Sequence, residues 1–170
     1  FRYNGRTNQP SISQLQNVLD VSDPLNVTTG NPDLKQEFNH NMNVSFSTFN
    51  ILTFRLIAAN LNFSTTRNKI VNSIDTLSRN VQLVKPMNVN GYFQGSSFVT
   101  LGLPFKNPKL KGSSLNFTNS MSYTRDVSLL YKQLNTGNIF AVSQGAGINI
   151  NKDKFDVGVR LNIAYTDVTY

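Results

Sequence analysis

A strict alternation of apolar and polar side chains near the end of the chain limits its fold more than any other feature. Between residues 155 and 166 the apolar positions are Phe155, Val157, Val159, Leu161, Ile163 and Tyr165. The positions between them include Asp156, Gly158, Arg160, Asn162 and Thr166. Successive side chains of a β-strand point to opposite faces of the sheet, whereas a helix repeats every 3.6 residues. This segment therefore predicts a strand with one apolar face and one polar face.

The same period of two recurs along the chain and predicts seven strands. They cover residues 1–6, 38–50, 52–65, 81–105, 115–123, 140–150 and 155–166. Two of them have irregular patterns. In 52–65 the apolar positions change parity after Leu56, which a bulge or burial against something inside a lumen would explain. In 81–105, Pro86 predicts a bulge or a sheet edge, because proline cannot donate a ladder hydrogen bond.

The connections between these strands alternate between long and short. Outer-membrane barrels have short periplasmic turns and long outer loops, so the long segments 10–37, 68–80 and 126–137 are assigned to the outside. The short side holds a turn near Asn50, a Pro- and Lys-rich connection at 106–112 and a turn at 151–154; residues 78–80 are expected to turn the outer hairpin. Seven strands arranged this way end outside and cannot close an even-numbered barrel. The chain, which begins within a strand at Phe1, is expected to be part of a larger barrel.

The first outer loop carries two local signals. Ser11, with Gln14 three residues later, predicts a capping box on a short helical turn. Three apolar residues would share one face of this turn: Leu15, Val18 and Leu19. The loop ends in the polar stretch GNPDLKQE at residues 30–37. There, Gly30 can take a positive φ, Asn31 can cap or turn, and Pro32 disfavours the helical region for Asn31.

Composition favours a membrane strand protein over a soluble enzyme. Only 15% of the residues are charged, against about 25% in soluble domains. Cysteine is absent, so neither a disulfide framework nor a thiolate metal site can form. The net charge of +7 is scattered without a basic stripe, which argues against nucleic acid. No apolar run approaches the ~20 residues of a spanning helix, but a spanning strand needs only ~9–11 residues.

A soluble β-sandwich would alternate in the same way, with its apolar face turned inward. Two features favour lipid instead. The polar face consists almost entirely of Asn, Ser, Thr and Gly, and Phe or Tyr recurs near strand ends in the manner of an aromatic girdle. The sequence therefore predicts an antiparallel transmembrane β-barrel, with a soluble β-sandwich binding module as a weaker hypothesis.

Candidate chemical residues have simpler structural explanations. His40 is the only histidine, and with Glu37 as its nearby carboxylate it assembles no convincing metal site or catalytic triad. Asp20, Asp23 and Asp33 share one loop and suggest calcium, but their spacing matches no EF-hand, so turn or cap roles are expected. No catalytic residue, metal ligand or cofactor is assigned, and the protein is not expected to be an enzyme.

Three further sequence patterns also have structural explanations. Gly145-Ala146-Gly147 suggests a phosphate loop, but no helix follows, so small residues lining a crowded lumen explain it better. Asn-x-Ser/Thr triplets begin at Asn26, Asn43, Asn62 and Asn116. Three of these lie in predicted strands, and a bacterial outer membrane would leave them unmodified. Asp156 and Arg160 share the polar face, where they would contact a plug or ligand or form a structural ion pair with an unseen strand; the structural role is preferred.

Several loop motifs resemble a known family. They are residues 9–15 (QPSISQL), 23–26 (DPLN), 30–34 (GNPDL) and 88–91 (NVNG). With the alternating strand that follows, they are similar to the barrel region of TonB-dependent outer-membrane receptors, and in particular to the outer-membrane β-barrel family of Bacteroidota. The resemblance covers the whole chain. Gln36 stands where the family usually has proline.

The resemblance implies a receptor and transporter in the cell outer membrane. It implies that residues 1–170 form about seven strands of a 22-stranded barrel, with the plug domain absent from this chain. Such a protein takes up a metal chelate, glycan or peptide with energy relayed by TonB through the plug. Outer-membrane lipid, the remaining strands, the plug and the TonB complex are the expected partners. Ligand contacts are expected in 10–37, 68–80 and 126–137, with no single residue assigned; a small structural or adhesive barrel is the alternative.

Overall fold

Ten β-strands in one sheet make up most of the chain in the computed structural model, which describes residues 1–78, 81–152 and 155–170. The strands are β1 (Arg2–Asn8), β2 (Asn26–Thr28), β3 (Glu37–Asn50), β4 (Arg55–Arg67), β5 (Lys69–Ser78), β6 (Val81–Val89), β7 (Tyr92–Pro104), β8 (Ser114–Leu130), β9 (Gln133–Lys152) and β10 (Phe155–Thr169). Within those residues, helix is limited to α1 (Ile12–Leu15) and a 3₁₀ turn at Pro108–Leu110. Neither could cross a bilayer.

Seven of these strands form a continuous antiparallel wall. Its order is β1-β3-β4-β7-β8-β9-β10, and each neighbouring pair is antiparallel. Each of the seven predicted strands overlaps one strand of this wall, so the all-β prediction is confirmed. The predicted number of strands is wrong, because β2, β5 and β6 form in addition. The wall is an open sheet rather than a closed barrel, because in the described part of the chain β1 pairs only with β3 and β10 only with β9.

The wall has one apolar and one polar face, because residues paired across antiparallel strands point to the same side. One row of paired positions consists of Val44, Leu61, Ser97, Met121, Val142 and Tyr165. The next row, on the opposite face, consists of Asn43, Asn62, Ser96, Ser122, Ala141 and Thr166. The apolar face is open: Leu161 and Ile163 are 64% and 65% exposed. A soluble sandwich, which needs two sheets packed through their apolar faces, does not fit this arrangement.

The predicted strand 81–105 is wrong as a single element, because the chain breaks it at Asn90-Gly91. Gly91 has φ +109°, a conformation that favours glycine and redirects the backbone. β6 pairs back onto β5 as a hairpin, while β7 returns to the wall beside β4. On one side, Pro86 pairs with Asn72 of β5, and the register does not shift beside it. On the other side of β6, the pairing with β2 ends at Val84, before Pro86 is reached. Pro86 therefore lies at a sheet edge and not in a bulge.

The parity change in the predicted strand 52–65 also has a different cause. Residues 51–54 form a turn, and β4 begins at Arg55, which pairs with Asn50. The register of β4 then continues without a shift on both sides. Leu52 therefore belongs to the turn, and neither a bulge nor burial inside a lumen explains the pattern.

The remaining strands form an outer cap above the wall. The outer cap comprises residues 9–36, β5, β6 and the tips of β8 and β9 at 126–137, and it lies on the polar side. The Ile70 amide donates to Glu37 Oε1 at 2.6 Å, and Lys69 Nζ lies 3.9 Å from the Tyr92 ring centroid. Glu37 and Tyr92 both belong to polar-face rows. Among the residues that the structure describes, most of the buried side chains are in this cap, including Val27, Ser73, Val89 and Val127.

The first outer loop confirms its local signals in part. Ser11 caps α1, and both hydrogen bonds of its capping box with Gln14 are present. The shared apolar face is wrong, because α1 ends at Leu15 and Val18 lies beyond it, 68% exposed. The positive φ expected at Gly30 is also wrong. A Cβ there would collide with the backbone carbonyl of residue 16, so close backbone approach is what requires glycine.

Two predicted turns fall partly outside the described residues. Ser78 ends β5, and the rest of the expected turn at Arg79-Asn80 is not described. Asn151 and Lys152 belong to β9 rather than to the turn expected at 151–154, and Asp153-Lys154 lie outside the described ranges.

Candidate functional site

The three segments predicted to contact ligand are joined in the outer cap. β2, from the first segment, pairs in parallel with β6 at Val27 and Leu83. β6 pairs with β5, which begins the second segment. β5 then pairs in parallel with the tip of β8, at Ser73 and Leu129. One small sheet therefore carries all three segments over the polar side of the wall.

Side-chain amides hold the first loop against the β5–β6 hairpin. The buried Asn31 side chain donates to the Pro86 carbonyl at 3.0 Å, while its Oδ1 accepts from the Asp33 amide. Asn88 Oδ1 accepts from the Lys35 amide at 2.7 Å. The bonds to Pro86 and to Asn88 join residues more than 50 positions apart, so they fix the conformation of a loop that its own sequence does not determine. The turn role expected for Asn31 is confirmed.

A second set of contacts, here named the rim clasp, joins the hairpin to the wall. Lys69 Nζ donates to Asp126 Oδ1 at 2.6 Å and lies over the Tyr92 ring. Asp126 directly follows Arg125, the last residue of β8 that pairs with β7, and so lies in the outer part of β8. The hydrogen bond from Lys69 lowers the pKa of Asp126 below its ordinary value. The three residues come from β5, β8 and β7, so the clasp depends on the pairing of distant strands.

Below the cap, the polar face of the wall presents a field of amides and hydroxyls. Asn43 Nδ2 donates to Asn62 Oδ1 at 2.6 Å, and Asn62 Nδ2 donates to Asn60 Oδ1 at 2.7 Å. A depression of about 420 Å³ opens on this face. Its lining includes Arg2, Asn4, Asn41, Asn43, Asn62, Ser64, Gln94 and Ser96. Such a surface offers donors and acceptors to polar ligands or to a polar protein domain, and no apolar binding pocket.

The sequence matches one known protein family. Residues 1–169 match the family described as "Outer membrane protein beta-barrel family". The chain belongs to this family. No curated protein and no solved structure matches it. As a member of an outer-membrane family, the chain is located in the outer membrane. The predictions of an all-β outer-membrane barrel protein and of its location are confirmed.

His40 contacts two neighbouring aromatic side chains. It lies four residues into β3, near the outer rim, where Tyr3 Oη is 2.8 Å from its Nδ1. Its ring meets Phe38 at an edge, with centroids 4.6 Å apart. These contacts give His40 a structural role between β1 and β3. The described residues hold no group of three or more side chains suited to a metal ion.

The loop aspartates of this family member stabilise turns. Asp20 Oδ1 accepts from the Ser22 amide and hydroxyl, and these bonds lower the pKa of Asp20. Asp23 accepts from the Asn26 side chain and the Leu25 amide, and these bonds lower the pKa of Asp23. The turn roles expected for both are confirmed. Asp33 contributes its backbone amide to Asn31.

The glycines of β9 fit a crowded polar face. Gly145 is buried, and an added Cβ would lie 2.5 Å from Thr118 Oγ1 and 2.6 Å from Asn162 Oδ1. The interpretation of Gly145-Ala146-Gly147 as strand is therefore confirmed.

Four Asn-x-Ser/Thr triplets begin in strands rather than three, because Asn26 opens β2. Asp156 and Arg160 share the polar face of β10, and the two ion pairs formed within the described ranges do not include them. Their expected partner in an unseen strand stays a prediction.

Sequence reasoning missed the rim clasp and the anchoring role of Glu37. Both depend on contacts between residues 29 to 57 positions apart. The only signal in the sequence is that Glu37, Lys69 and Asp126 are charged residues at predicted strand ends. That signal does not say which ends meet.

Proposed function

We propose that the chain forms part of the barrel of a TonB-dependent transporter that takes up a metal chelate, glycan or peptide. The single observation that carries the proposal is the geometry of the open wall. An odd number of wall strands places β1 and β10 in the same direction, since each neighbouring pair is antiparallel. Direct closure would make a parallel pair, whereas bacterial barrels are antiparallel with an even strand count.

Further strands are therefore required, and a bilayer tolerates no unpaired strand edge in its interior. We propose that they belong to a 22-stranded barrel whose wide lumen holds a plug. The field of Asn, Ser and Thr on the polar face supports this, because it suits contact with a polar domain. The outer cap supports ligand capture, because it gathers three loop segments over the lumen side. In this proposal the chain supplies walls and loops, has no catalytic role, and the plug contacts TonB.

A small structural or adhesive barrel is the second candidate, because the family match supports it equally. At 170 residues, the chain would need one more strand to reach eight. The two candidates differ in mass. Scaling 19.0 kDa for seven wall strands to 22 strands gives a barrel of about 60 kDa before any plug. We expect an antibody against the outer cap to detect one species at least this heavy in native outer membranes; a folded species near 20 kDa would favour the small barrel.

Transport is tested separately by uptake in cells that differ only in TonB. The panel consists of a ⁵⁵Fe-labelled chelate, a radiolabelled oligosaccharide and a fluorescent peptide. The proposal expects uptake of one class to require both this protein and TonB. Uptake that is unaffected by deletion of TonB, for a probe that requires this protein, would contradict it.

A further inference from the structure

Two arginines lie at the outer rim on the side of the wall that faces lipid. Arg67 pairs with Phe38, and Arg125 pairs with Phe93, so both belong to rows of the apolar face. Both are exposed. Neither takes part in the two ion pairs that the described residues form. Cations placed where a membrane begins, without a protein carboxylate beside them, are suited to an anion from the lipid headgroup layer.

The two arginines flank a single strand. β7 lies between β4, which ends at Arg67, and β8, which carries Arg125. Neighbouring strands are about 4.8 Å apart, so the two backbones are separated laterally by about 10 Å. Thr65 pairs with Phe93, and Phe93 pairs with Arg125, so Arg67 also lies two residues farther toward the rim than Arg125. The two backbones are therefore about 12 Å apart. Two long side chains can close that distance around one anion. The planar guanidinium binds phosphate oxygens through paired hydrogen bonds.

A polar depression lies beside Arg67 at the rim. It has a volume of about 630 Å³ and is lined by His40, Asn68 and Asn90, together with Phe38, Thr65, Thr66, Arg67 and Gly91. The amides and the imidazole offer hydrogen bonds to a sugar or phosphate headgroup. This pocket is open to the headgroup region rather than to the lumen, because His40 and Arg67 point away from the polar face.

The depression continues downward into apolar hollows on the same face. A hollow of about 250 Å³ shares His40, Thr65 and Arg67 with the polar depression and adds Tyr3, Met42 and Phe63. Below it, a hollow of about 440 Å³ shares Met42 and Phe63 and extends to Met121 and Tyr123. Small residues of β7, Gly95 and Ser97, form its floor between larger neighbours. The surface therefore changes from cationic and polar at the rim to apolar beneath it.

An aromatic row marks the boundary between the two parts. Phe63 and Phe93 have ring centroids 5.0 Å apart, and Phe93 and Tyr123 have centroids 5.6 Å apart. Tyr123 donates its hydroxyl to Asn138 at 2.8 Å. Aromatic rings with a polar tip are typical of the level where headgroups meet acyl chains. The rim arginines lie at or above this level, and the apolar hollows lie below it.

We propose that this surface binds one anionic lipid of the outer leaflet, with its phosphate between Arg67 and Arg125 and an acyl chain in the hollow floored by Gly95 and Ser97. Charge selects the occupant, because the rim offers two cations and no carboxylate in the same rows. The order of polar and apolar parts along the membrane normal matches a lipid and not a soluble anion. The proposal depends on the location in the outer membrane and is independent of any transport role.

The test uses the whole protein, purified and placed in nanodiscs of phosphatidylethanolamine that contain lipid A as the anionic probe. Retention of lipid A is measured by native mass spectrometry. We expect Arg67→Ala and Arg125→Ala each to weaken retention about five-fold, and Arg67→Lys to lose less. The matched control is Arg6→Ala, an exposed rim arginine whose partner Asn39 places it on the polar face. We expect Arg6→Ala to retain lipid A as the wild type does.

A further variant distinguishes binding of a whole lipid from binding of phosphate alone. Ser97→Trp fills the apolar hollow without touching an arginine, and we expect it to weaken retention of lipid A while leaving phosphatidylethanolamine unchanged. Inorganic phosphate is added as a competitor and should displace lipid A poorly. Folding of every variant is checked by its heat-dependent migration in detergent gels. Equal losses for Arg6→Ala and Arg67→Ala would overturn the proposal, and so would efficient displacement by phosphate combined with no effect of Ser97→Trp.

Discussion

Adjacent residues of β8 give a matched test of how the wall meets the membrane. Met121 belongs to an apolar row and Ser120 to the neighbouring polar row. Met121 lies four residues below Arg125, at the top of the pairing with β7. At about 3.4 Å per residue and a tilt of about 40°, this is about 10 Å below the rim of an apolar band about 25 Å tall. Met121 is therefore close to the midplane, and it is 45% exposed.

We expect Met121→Arg to destabilise the protein by about 2–3 kcal/mol, because a cation on the lipid face near the midplane loses its hydration. Ser120→Arg should change stability by less than about 0.5 kcal/mol, since it adds the same cation to the polar face. The free energy of unfolding is measured by urea titration of the whole protein in lipid vesicles, followed by far-UV circular dichroism. Similar losses for both variants, or a larger loss for Ser120→Arg, would mean that lipid does not cover the apolar face.

Three further predictions concern the outer cap. Lys69→Met removes one exposed ion pair and one cation–π contact, so we expect faster amide hydrogen exchange in β5 and β6, by roughly five-fold. The lowered pKa of Asp126 means that the clasp is intact above the ordinary value of 3.8 and is lost as the pH falls below it. A spin label at Leu77→Cys should therefore become more mobile in acid, and Asp126→Asn should remove that change. Gly30→Ala forces a Cβ into a neighbouring carbonyl, so limited proteolysis should cut the first loop faster. Gly95→Ala, whose added Cβ has ordinary contacts of 3.6 Å, is its control.

The wall could be predicted because its signal is local. Each strand shows its two faces through its own alternation, and β10 shows this from Phe155 to Thr166. The capping box of Ser11 and Gln14 is equally local, since it needs only four residues. Both predictions therefore required no knowledge of which strands pair.

The outer cap could not be predicted because its signal is non-local. Apolar and polar residues alternate in both β6 and β7, so residues 81–105 look like one strand in the sequence. The break becomes evident only when β6 is known to pair with β5, and β7 with β4. Only Gly91, with its positive φ, marks the break, and glycine within a strand has several other uses. Gly30 shows the same limit. The sequence offers only a positive φ as the use of this glycine, whereas the approaching backbone that requires it comes from the folded loop.

Residue-by-residue labelling along β10 decides whether the apolar face lies in lipid and the polar face in an aqueous interior. The sequence contains no cysteine, so single substitutions from Val157 to Tyr165 each place one thiol in this segment. Spin labels on the whole protein in vesicles are exposed to oxygen, which concentrates in lipid, and to a water-soluble nickel complex. We expect oxygen to relax labels at odd positions such as 161 and nickel to relax labels at even positions such as 162. The reverse alternation, or nickel access at every position, would contradict a wall that separates lipid from a polar lumen.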